Sequence, residues 1–184
     1  MIIEETSIPG LLIIQPKIHN DDRGYFFESY KYSDFESNDL PTKFLQHNQS
    51  KSIRGVIRGL HYQLKYGQDK LVWVNQGAVM DVAVDIRKDS PTFGHYESLI
   101  LNDENHKRFY IPKGFAHGYY VLTEIVILEY MCTETFHPED EFGIRWDDPD
   151  INIDWPMGKK LLSDRDKKLP SLKQIETKKL PLYK

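Results

Sequence analysis

Short runs rich in β-branched and aromatic residues, separated by turn residues, dominate the chain. Turn residues such as Asn20-Asp21-Asp22 and Ser90-Pro91 separate these runs. Many short strands at close spacing are typical of an antiparallel sandwich or jelly roll and not of a βαβ fold. The pattern therefore predicts an all-β fold with little helix, either a sandwich or a jelly roll. The predicted strands are 11–16, 25–30, 43–48, 56–63, 70–75, 78–87, 96–101, 108–112, 117–122 and 125–132.

The clearest alternation of side chains lies in residues 78–87. Met80, Val82, Val84 and Ile86 share one face of this predicted strand, and the other face carries two carboxylates among small apolar residues. These residues of the second face are Val79, Asp81, Ala83 and Asp85. Such a half-polar face is either exposed to solvent, which is the commoner case, or lines a cavity.

The remaining organisation is simple. Residues 34–37 are predicted to form a turn or two of helix, and the chain becomes polar and proline-rich after about residue 137. This C-terminal segment, 137–184, is predicted to wrap the barrel with little regular structure. Because repeats and Ser/Gly linkers are absent from the sequence, residues 1–184 are predicted to form one domain.

Composition excludes several classes of protein. With 184 residues, a formal net charge of −4 and a pI of about 6.0, the chain lacks the basic balance of a nucleic-acid-binding protein. Cys132 is the single cysteine, so no intrachain disulfide can form. The N-terminal residues lack the pattern of a signal peptide, and the apolar runs are too short to span a bilayer. We expect a soluble cytoplasmic protein without a nucleic-acid or membrane partner.

Two short segments carry candidate chemistry. His61 lies in Arg58-Gly59-Leu60-His61-Tyr62-Gln63, where strand alternation predicts that His61 and Gln63 face one way and Arg58 the other. A histidine is a natural general base near neutral pH, although a lone histidine is more often structural. His117 ends the motif Pro-x-Gly-x-x-His, which matches the second signature of the cupin superfamily.

The first cupin signature is altered in a way that bears on metal binding. It normally contains His-x-His and then a glutamate, whereas this chain has His61-x-Gln63 and Lys70 in the equivalent stretch. An amide and an ammonium group remove ligands that a divalent metal ion requires, and the ammonium adds a repelling charge. We therefore expect no catalytic metal and no other cofactor.

An ordered set of motifs extends over about residues 10–168. The chain resembles the dTDP-4-dehydrorhamnose 3,5-epimerase family, metal-free cupin enzymes of deoxysugar synthesis. Each motif alone is weak, but their order is specific. They are Asp22-Arg23-Gly24-Tyr25-Phe26-Phe27-Glu28, Gln46-His47-Asn48-Gln49-Ser50, Arg58-Gly59-Leu60-His61-Tyr62-Gln63, Asp81-Val82-Ala83-Val84-Asp85-Ile86-Arg87, Ser90-Pro91-Thr92-Phe93-Gly94, Ile111-Pro112-Lys113-Gly114-Phe115-Ala116-His117-Gly118, Gly143-Ile144-Arg145-Trp146-Asp147-Asp148-Pro149 and Leu162-Ser163-Asp164-Arg165-Asp166.

The resemblance implies a cupin-type jelly-roll β-barrel with little helix. It also implies epimerisation of carbons 3 and 5 of a nucleotide-linked 4-keto-6-deoxyhexose, with dTDP as the nucleotide, through an enolate. It implies His61 as the base, Asp166 as the group that orients His61, Tyr130 as the acid on the opposite face, and Lys70 as the cation beside the enolate oxygen. Without the resemblance, Asp166 is one more surface charge, Tyr130 a core tyrosine, and Lys70 a solvated residue at a strand edge. The family usually has Tyr-Lys where this chain has Tyr130-Met131.

The resemblance also implies the groups that bind the nucleotide sugar. Arginines suit the pyrophosphate because the guanidinium donates in a bidentate way. The implied binding residues are Arg23, Phe26, Glu28, Gln46, His47, Asn48, Arg58, Lys70, His117, Glu141 and Arg165. In this family the N-terminal segment, here about 1–40, reaches into the partner's pocket, which implies a homodimer. His117 and Asp81 form a second His–carboxylate pair or a buried structural hydrogen bond.

Three alternatives stay open at this stage. Relatives of the family act on only one carbon or on other nucleotide-linked keto sugars. A metal-dependent cupin would contain bound metal, and a non-catalytic cupin would bind a sugar nucleotide without altering it.

Overall fold

The structure is a computed structural model that describes residues 1–183, and it consists mostly of strands. One short α-helix, α1 (Tyr32–Glu36), and four 3-10 turns interrupt them. The strands are β1 (Ile2–Glu5), β2 (Leu12–Gln15), β3 (His19–Asp21), β4 (Gly24–Phe26), β5 (Gln46–Ile53), β6 (Ile57–Gln63), β7 (Lys70–Gln76), β8 (Ala78–Asp85), β9 (Tyr96–Asn102), β10 (Arg108–Ile111), β11 (Phe115–Val121), β12 (Ile125–Cys132) and β13 (Glu141–Gly143). The 3-10 turns are Pro138–Asp140, Asp166–Lys168, Leu172–Gln174 and Thr177–Lys179.

Two antiparallel sheets form the barrel. One has six strands in the order β1-β2-β10-β7-β12-β5, and the other has five in the order β13-β6-β11-β8-β9. Residues that alternate along these strands pack against each other in the interior, among them Val72, Phe109, Val126 and Leu128. Crossovers between strands that are distant in sequence are typical of a jelly roll, so the predicted fold class is confirmed.

Both faces of β8 are buried. Val79 and Ala83 lie in the barrel interior, while Val82 and Val84 pack on the outside of the sheet. Asp81 and Asp85 are 0% exposed. The half-polar face of this strand, which carries Val79 and Ala83, therefore points into the barrel, and the solvent-exposed alternative, the commoner case, is wrong for it.

Residues 170–183, which we call the C-terminal strap, provide part of that cover. Leu172 packs on the outer face, the hydroxyl of Tyr62 donates to the carbonyl of Lys179 at 3.0 Å, and the backbone of Lys88 bonds to residues 181 and 183. The guanidinium of Arg87 lies over the ring of Tyr183 at 4.8 Å. The C-terminal strap packs against the back of the sheet that carries His61.

Several predicted strand boundaries are wrong. Strand β1 was not predicted, β4 ends at Phe26 and not at residue 30, and β5 extends to Ile53 and not only to residue 48. Helix α1, close to the predicted 34–37, buries Phe35 against the six-stranded sheet. The exposed polar positions of β5 alternate with half-buried ones, so the true strand carries a period-2 pattern that begins later than predicted.

Strands β3 and β4 form a separate two-stranded ribbon, which we call the exposed hairpin (residues 19–26). Tyr25 and Phe26 are 58% and 68% exposed, which is unusual for large aromatic side chains. No helix within residues 1–183 has both the length and the apolar character needed to cross a membrane.

Candidate active site

A cavity of about 620 Å³ lies between the two sheets. Strands β5, β7 and β12 line one side, β6 and β11 line the other, and residues 161–166 close one flank. The cavity brings together a large part of the predicted site. The predicted residues that line it are Gln46, Asn48, Arg58, His61, Lys70, His117, Tyr130, Glu141, Arg165 and Asp166.

His61 and Asp166 form a close pair. His61 Nε2 lies 2.7 Å from Asp166 Oδ1, although the two residues are 105 positions apart in sequence. Asp166 is only 4% exposed. Burial opposes its ionisation, but hydrogen bonds from His61, the Ser163 side chain and the backbone of Gly59 together lower the pKa of Asp166. The carboxylate is thus charged and positioned to hold the imidazole in one orientation.

The second nitrogen of His61 faces another carboxylate. His61 Nδ1 lies 3.9 Å from Glu141 Oε1, and Glu141 Oε2 lies 2.5 Å from Nη1 of Arg165. Glu141 begins β13, which pairs with β6 so that Gly143 lies opposite His61. His61 therefore has a carboxylate on each side, and one of these carboxylates is already neutralised by an arginine.

Lys70 opens β7, a strand in the middle of the six-stranded sheet, and its side chain lines the cavity. Burial lowers the pKa of the Lys70 ammonium, while the negative charges of Glu141 and Asp81 counteract that effect. Lys70 is thus not the solvated edge residue that its position at the start of a strand indicates.

Tyr130 lines the same cavity from β12 and packs against the interior core. Its neighbours on this face, Val126 and Leu128, are those that strand alternation predicts. Burial raises the pKa of the Tyr130 hydroxyl to about 12, so the phenol retains its proton at neutral pH. The hydroxyl can therefore donate a proton to a ligand in the cavity.

His117 and Asp81 form a second pair on the cavity wall. His117 Nε2 lies 2.9 Å from Asp81 Oδ1 and 3.1 Å from Oδ2, and both residues are buried. Burial raises the pKa of Asp81, and the nearby His117 and Lys70 counteract this.

Arg58 departs from the predicted strand geometry. Strand alternation places it opposite His61, but both side chains line the cavity. The register between β6 and β11 shifts at this point: His117 pairs with His61, but Tyr119, two residues on, pairs with Arg58, three residues back. Gly59 makes this possible: its φ is +123°, and a Cβ there would lie 2.5 Å from the Cα of Gly118. Arg58 Nε then donates to Ser52 Oγ at 3.1 Å.

Four predicted binding residues lie outside the cavity of their own chain. Arg23 and Phe26 belong to the exposed hairpin. Glu28 follows this hairpin in the chain, and its Oε2 lies 3.6 Å from Nζ of Lys31. His47 faces the outside of β5, where its Nε2 lies 3.1 Å from Glu129. Alternation along β5 directs Gln46 and Asn48 inward and His47 outward.

Phe136 lines the cavity and was not predicted as a site residue. It follows β12 in a loop and is 44% exposed. A large apolar ring that stays exposed at the wall of a cavity is suited to stack on a flat ligand. The sequence offered a weak signal, a phenylalanine in an otherwise polar run, but loops carry no periodicity that would indicate where a side chain points.

Within residues 1–183, no group of three or more His, Cys, Asp or Glu side chains is arranged to hold a metal ion. Metal-independent chemistry stays a prediction. The chemistry that these residues can perform is proton transfer to and from a bound anionic ligand, since a base, an acid and several cations share one cavity.

This fold and cavity define the protein as a cupin-type jelly-roll enzyme, with its site inside the barrel. The family model described as dTDP-4-dehydrorhamnose 3,5-epimerase matches residues 5–174. The chain belongs to the dTDP-4-dehydrorhamnose 3,5-epimerase family.

Individual relatives agree with the family match. The dTDP-4-dehydrorhamnose 3,5-epimerase of Methanothermobacter thermautotrophicus is 46% identical over 173 residues, which are 92% of this chain and 94% of the relative. The crystal structure of the Legionella pneumophila dTDP-6-deoxy-D-glucose-3,5-epimerase in complex with dTDP-4-keto-L-rhamnose has a TM-score of 0.96 and 48% identity, and the match covers 99% of this chain and 98% of that one.

A less similar structure is the 3'-monoepimerase from Streptomyces bikiniensis in complex with dTDP-quinovose. Its TM-score is 0.92 at 35% identity, with 97% of this chain and 92% of that chain covered. Together the comparisons confirm the predicted family, fold class and isomerase class.

Proposed function

We propose that this isomerase converts dTDP-4-dehydro-6-deoxyglucose to dTDP-4-dehydrorhamnose by inverting carbons 3 and 5. Both carbons flank the ketone, so their protons are weakly acidic and each anion delocalises into an enolate. The observation that carries the proposal is the pairing of His61 with Asp166 at 2.7 Å in a cavity that Tyr130 also lines. The names of the relatives support the choice of substrate.

His61 is the base in this proposal. A neutral imidazole whose Nε2–H donates to Asp166 has its lone pair on Nδ1, and that nitrogen takes the proton from carbon 3 or carbon 5. The imidazolium that forms is stabilised by Asp166, whose pKa is low enough to keep it charged. Tyr130 then delivers a proton to the opposite face of the carbon, because its pKa of about 12 keeps it protonated at neutral pH.

Lys70 stabilises the enolate oxygen. Its ammonium group lines the cavity and has lost part of its hydration, so its interaction with a developing oxyanion is stronger than that of a lysine in water. His117, held by Asp81, is placed to donate to the sugar or the ketone from the opposite sheet.

The pyrophosphate and base occupy the more open part of the cavity. Arg58 and Arg165 supply two guanidinium groups for the phosphate oxygens, and the ring of Phe136 stacks on the base. Gln46 and Asn48, whose side chains bond to each other at 2.8 Å, contribute amide groups on the same wall.

The decisive experiment is turnover in deuterated water with dTDP-4-dehydro-6-deoxyglucose, followed by NMR of the product. We expect deuterium at both carbon 3 and carbon 5 and inversion of both centres. Deuterium and inversion at one carbon would favour a mono-epimerase, for which the similarity to the Streptomyces bikiniensis enzyme is a reason. Uptake at neither carbon would overturn the proposal.

The proposal includes a homodimer in which the exposed hairpin completes the partner's cavity. The side chain of Arg23 is 90% exposed, and Phe26 is 68% exposed. The guanidinium of Arg23 bonds to the neighbouring carboxylate of Asp21 on this hairpin. A basic and an aromatic side chain this exposed are suited to bind a nucleotide in a second copy.

Complementation tests this arrangement. We expect the double variant Arg23→Ala/Phe26→Ala and the variant His61→Asn to be nearly inactive as separate dimers. In a refolded equimolar mixture, half of the dimers are mixed and each has one intact site, so activity returns to about a quarter of wild type. A mixture that stays at the level of its separate components would show that the hairpin serves its own chain.

A cytoplasmic location is also part of the proposal. Cys132, the single cysteine, is fully buried, and burial raises the pKa of its thiol to about 11. The fold therefore relies on no disulfide, which suits a reducing compartment.

A further inference from the structure

Gln63 occupies a position that the proton-transfer chemistry does not use. It ends β6, two residues after His61, and is only 7% exposed. A metal-binding cupin has its second histidine at this point of the His-x-His signature, as noted above. A buried carboxamide normally has partners for both its donors and its acceptor, and those of Gln63 indicate what it does.

All partners of the Gln63 side chain are backbone groups of two loops. Nε2 donates to the carbonyl of Tyr66 at 2.7 Å and to that of Thr135 at 3.2 Å. Oε1 accepts from the backbone N–H of His137 at 2.7 Å. The carboxamide thus joins the loop after β6 to the loop after β12, and it bonds to the residues immediately before and after Phe136.

Two further glutamines bind the same stretch of backbone. Oε1 of Gln46 accepts from the N–H of Phe136 at 2.7 Å, and Nε2 of Gln68 donates to the carbonyl of Glu134 at 2.8 Å. Three side chains therefore hold four consecutive residues, 134–137. We call Gln46, Gln63 and Gln68 the glutamine clamp.

The loop that the clamp holds lacks other strong restraints on Phe136. Thr135 and Phe136 are exposed, and the segment between β12 and Pro138 belongs to neither sheet. The ring of His137 stacks on that of Tyr66 at 3.8 Å, which again connects the two loops outside the cavity. The direction of the Phe136 ring thus depends on the backbone bonds that the glutamines make.

We propose that the glutamine clamp, and Gln63 above all, positions Phe136 for the nucleotide and so determines nucleotide affinity without taking part in proton transfer. The inference rests on the proposed function, in which Phe136 stacks on the base. Gln63 is a positioning residue, since it contacts the loop and acts on the ligand through Phe136.

The test is Gln63→Leu, which keeps the approximate volume and removes all three hydrogen bonds. We expect the dissociation constant for dTDP, measured by calorimetry, and the KM to rise about tenfold, a loss in the range of one base–aromatic stack. We expect kcat to change less than about twofold and the pH profile to stay that of wild type, because His61 and Asp166 are untouched. Gln68→Leu, at a less buried position, is expected to raise the same dissociation constant and KM by a smaller factor. This variant replaces Gln63→Leu as the test if Gln63→Leu folds poorly.

A double-mutant cycle separates this role from a general loss of structure. If Gln63 acts through Phe136, the double variant Gln63→Leu/Phe136→Ala binds dTDP as weakly as Phe136→Ala alone. The control is Gln76→Leu, at an exposed position at the far end of β7, and we expect it to bind dTDP as wild type does. Additive losses in the double variant, or normal dTDP affinity in Gln63→Leu and Gln68→Leu, would overturn the clamp. Normal affinity in Phe136→Ala would instead contradict the stacking in the proposed function, so the two failures are distinguishable.

Discussion

Replacing His61 with asparagine is expected to abolish measurable deuterium uptake at both sugar carbons and to lower kcat by about 10²–10⁴-fold, the usual contribution of a positioned general base. The reason is that His61 is placed to accept a proton, whereas an amide in its place is not basic near neutral pH. The measurement is NMR of the substrate after incubation in deuterated water, combined with steady-state turnover.

Asp166→Asn tests what the carboxylate partner contributes to the function of His61. If Asp166 orients the ring and stabilises its charged form, this variant retains slow exchange at a rate well below that of wild type. The dissociation constant for dTDP serves as the control and stays near the wild-type value in His61→Asn. Full exchange in His61→Asn would remove His61 from the mechanism.

Replacing Tyr130 with phenylalanine is expected to separate exchange from inversion. His61 can still abstract a proton and return a deuteron to the same face, so label enters the substrate with retention of configuration. Formation of the inverted product falls by about 10²–10⁴-fold, because no acid remains on the opposite face. The substitution removes one oxygen and preserves the packing of the ring against the interior core.

The measurement for Tyr130→Phe compares deuterium uptake with inversion of configuration at carbons 3 and 5 in one NMR time course. Because burial raises the pKa of Tyr130 to about 12, deprotonation of this residue does not limit the wild-type enzyme below that pH. If the variant inverts both carbons at the wild-type rate, the acid is another group. If the variant loses both label uptake and inversion, Tyr130 acts in substrate binding.

The strand framework and a large part of the cavity are predictable from sequence because period-2 alternation reports which face is buried. This holds for β12, where Val126, Leu128 and Tyr130 share the interior face. Asp166 shows the limit of such local reasoning. Nothing in the charged run around it indicates a buried carboxylate, and its role was suggested only by the resemblance to a known family.

Features that depend on local irregularity or on a second element escape sequence reasoning. The register shift at Gly59 moves Arg58 to the cavity side, contrary to simple alternation. Phe136 was missed because its position is set by side chains of three distant glutamines. For β8, alternation left open whether the half-polar face is exposed or lines a cavity, because the pattern of one strand does not indicate which side the second sheet covers.

The long separation between His61 and Asp166 has a consequence for the newly made chain. His61 is synthesised 105 residues before Asp166, with which it pairs. At about 5–20 residues per second, the ribosome needs roughly 5–20 s to add that length. During this interval the nascent polypeptide has its histidine but lacks the carboxylate partner, so the pair can form only after Asp166 has left the ribosome.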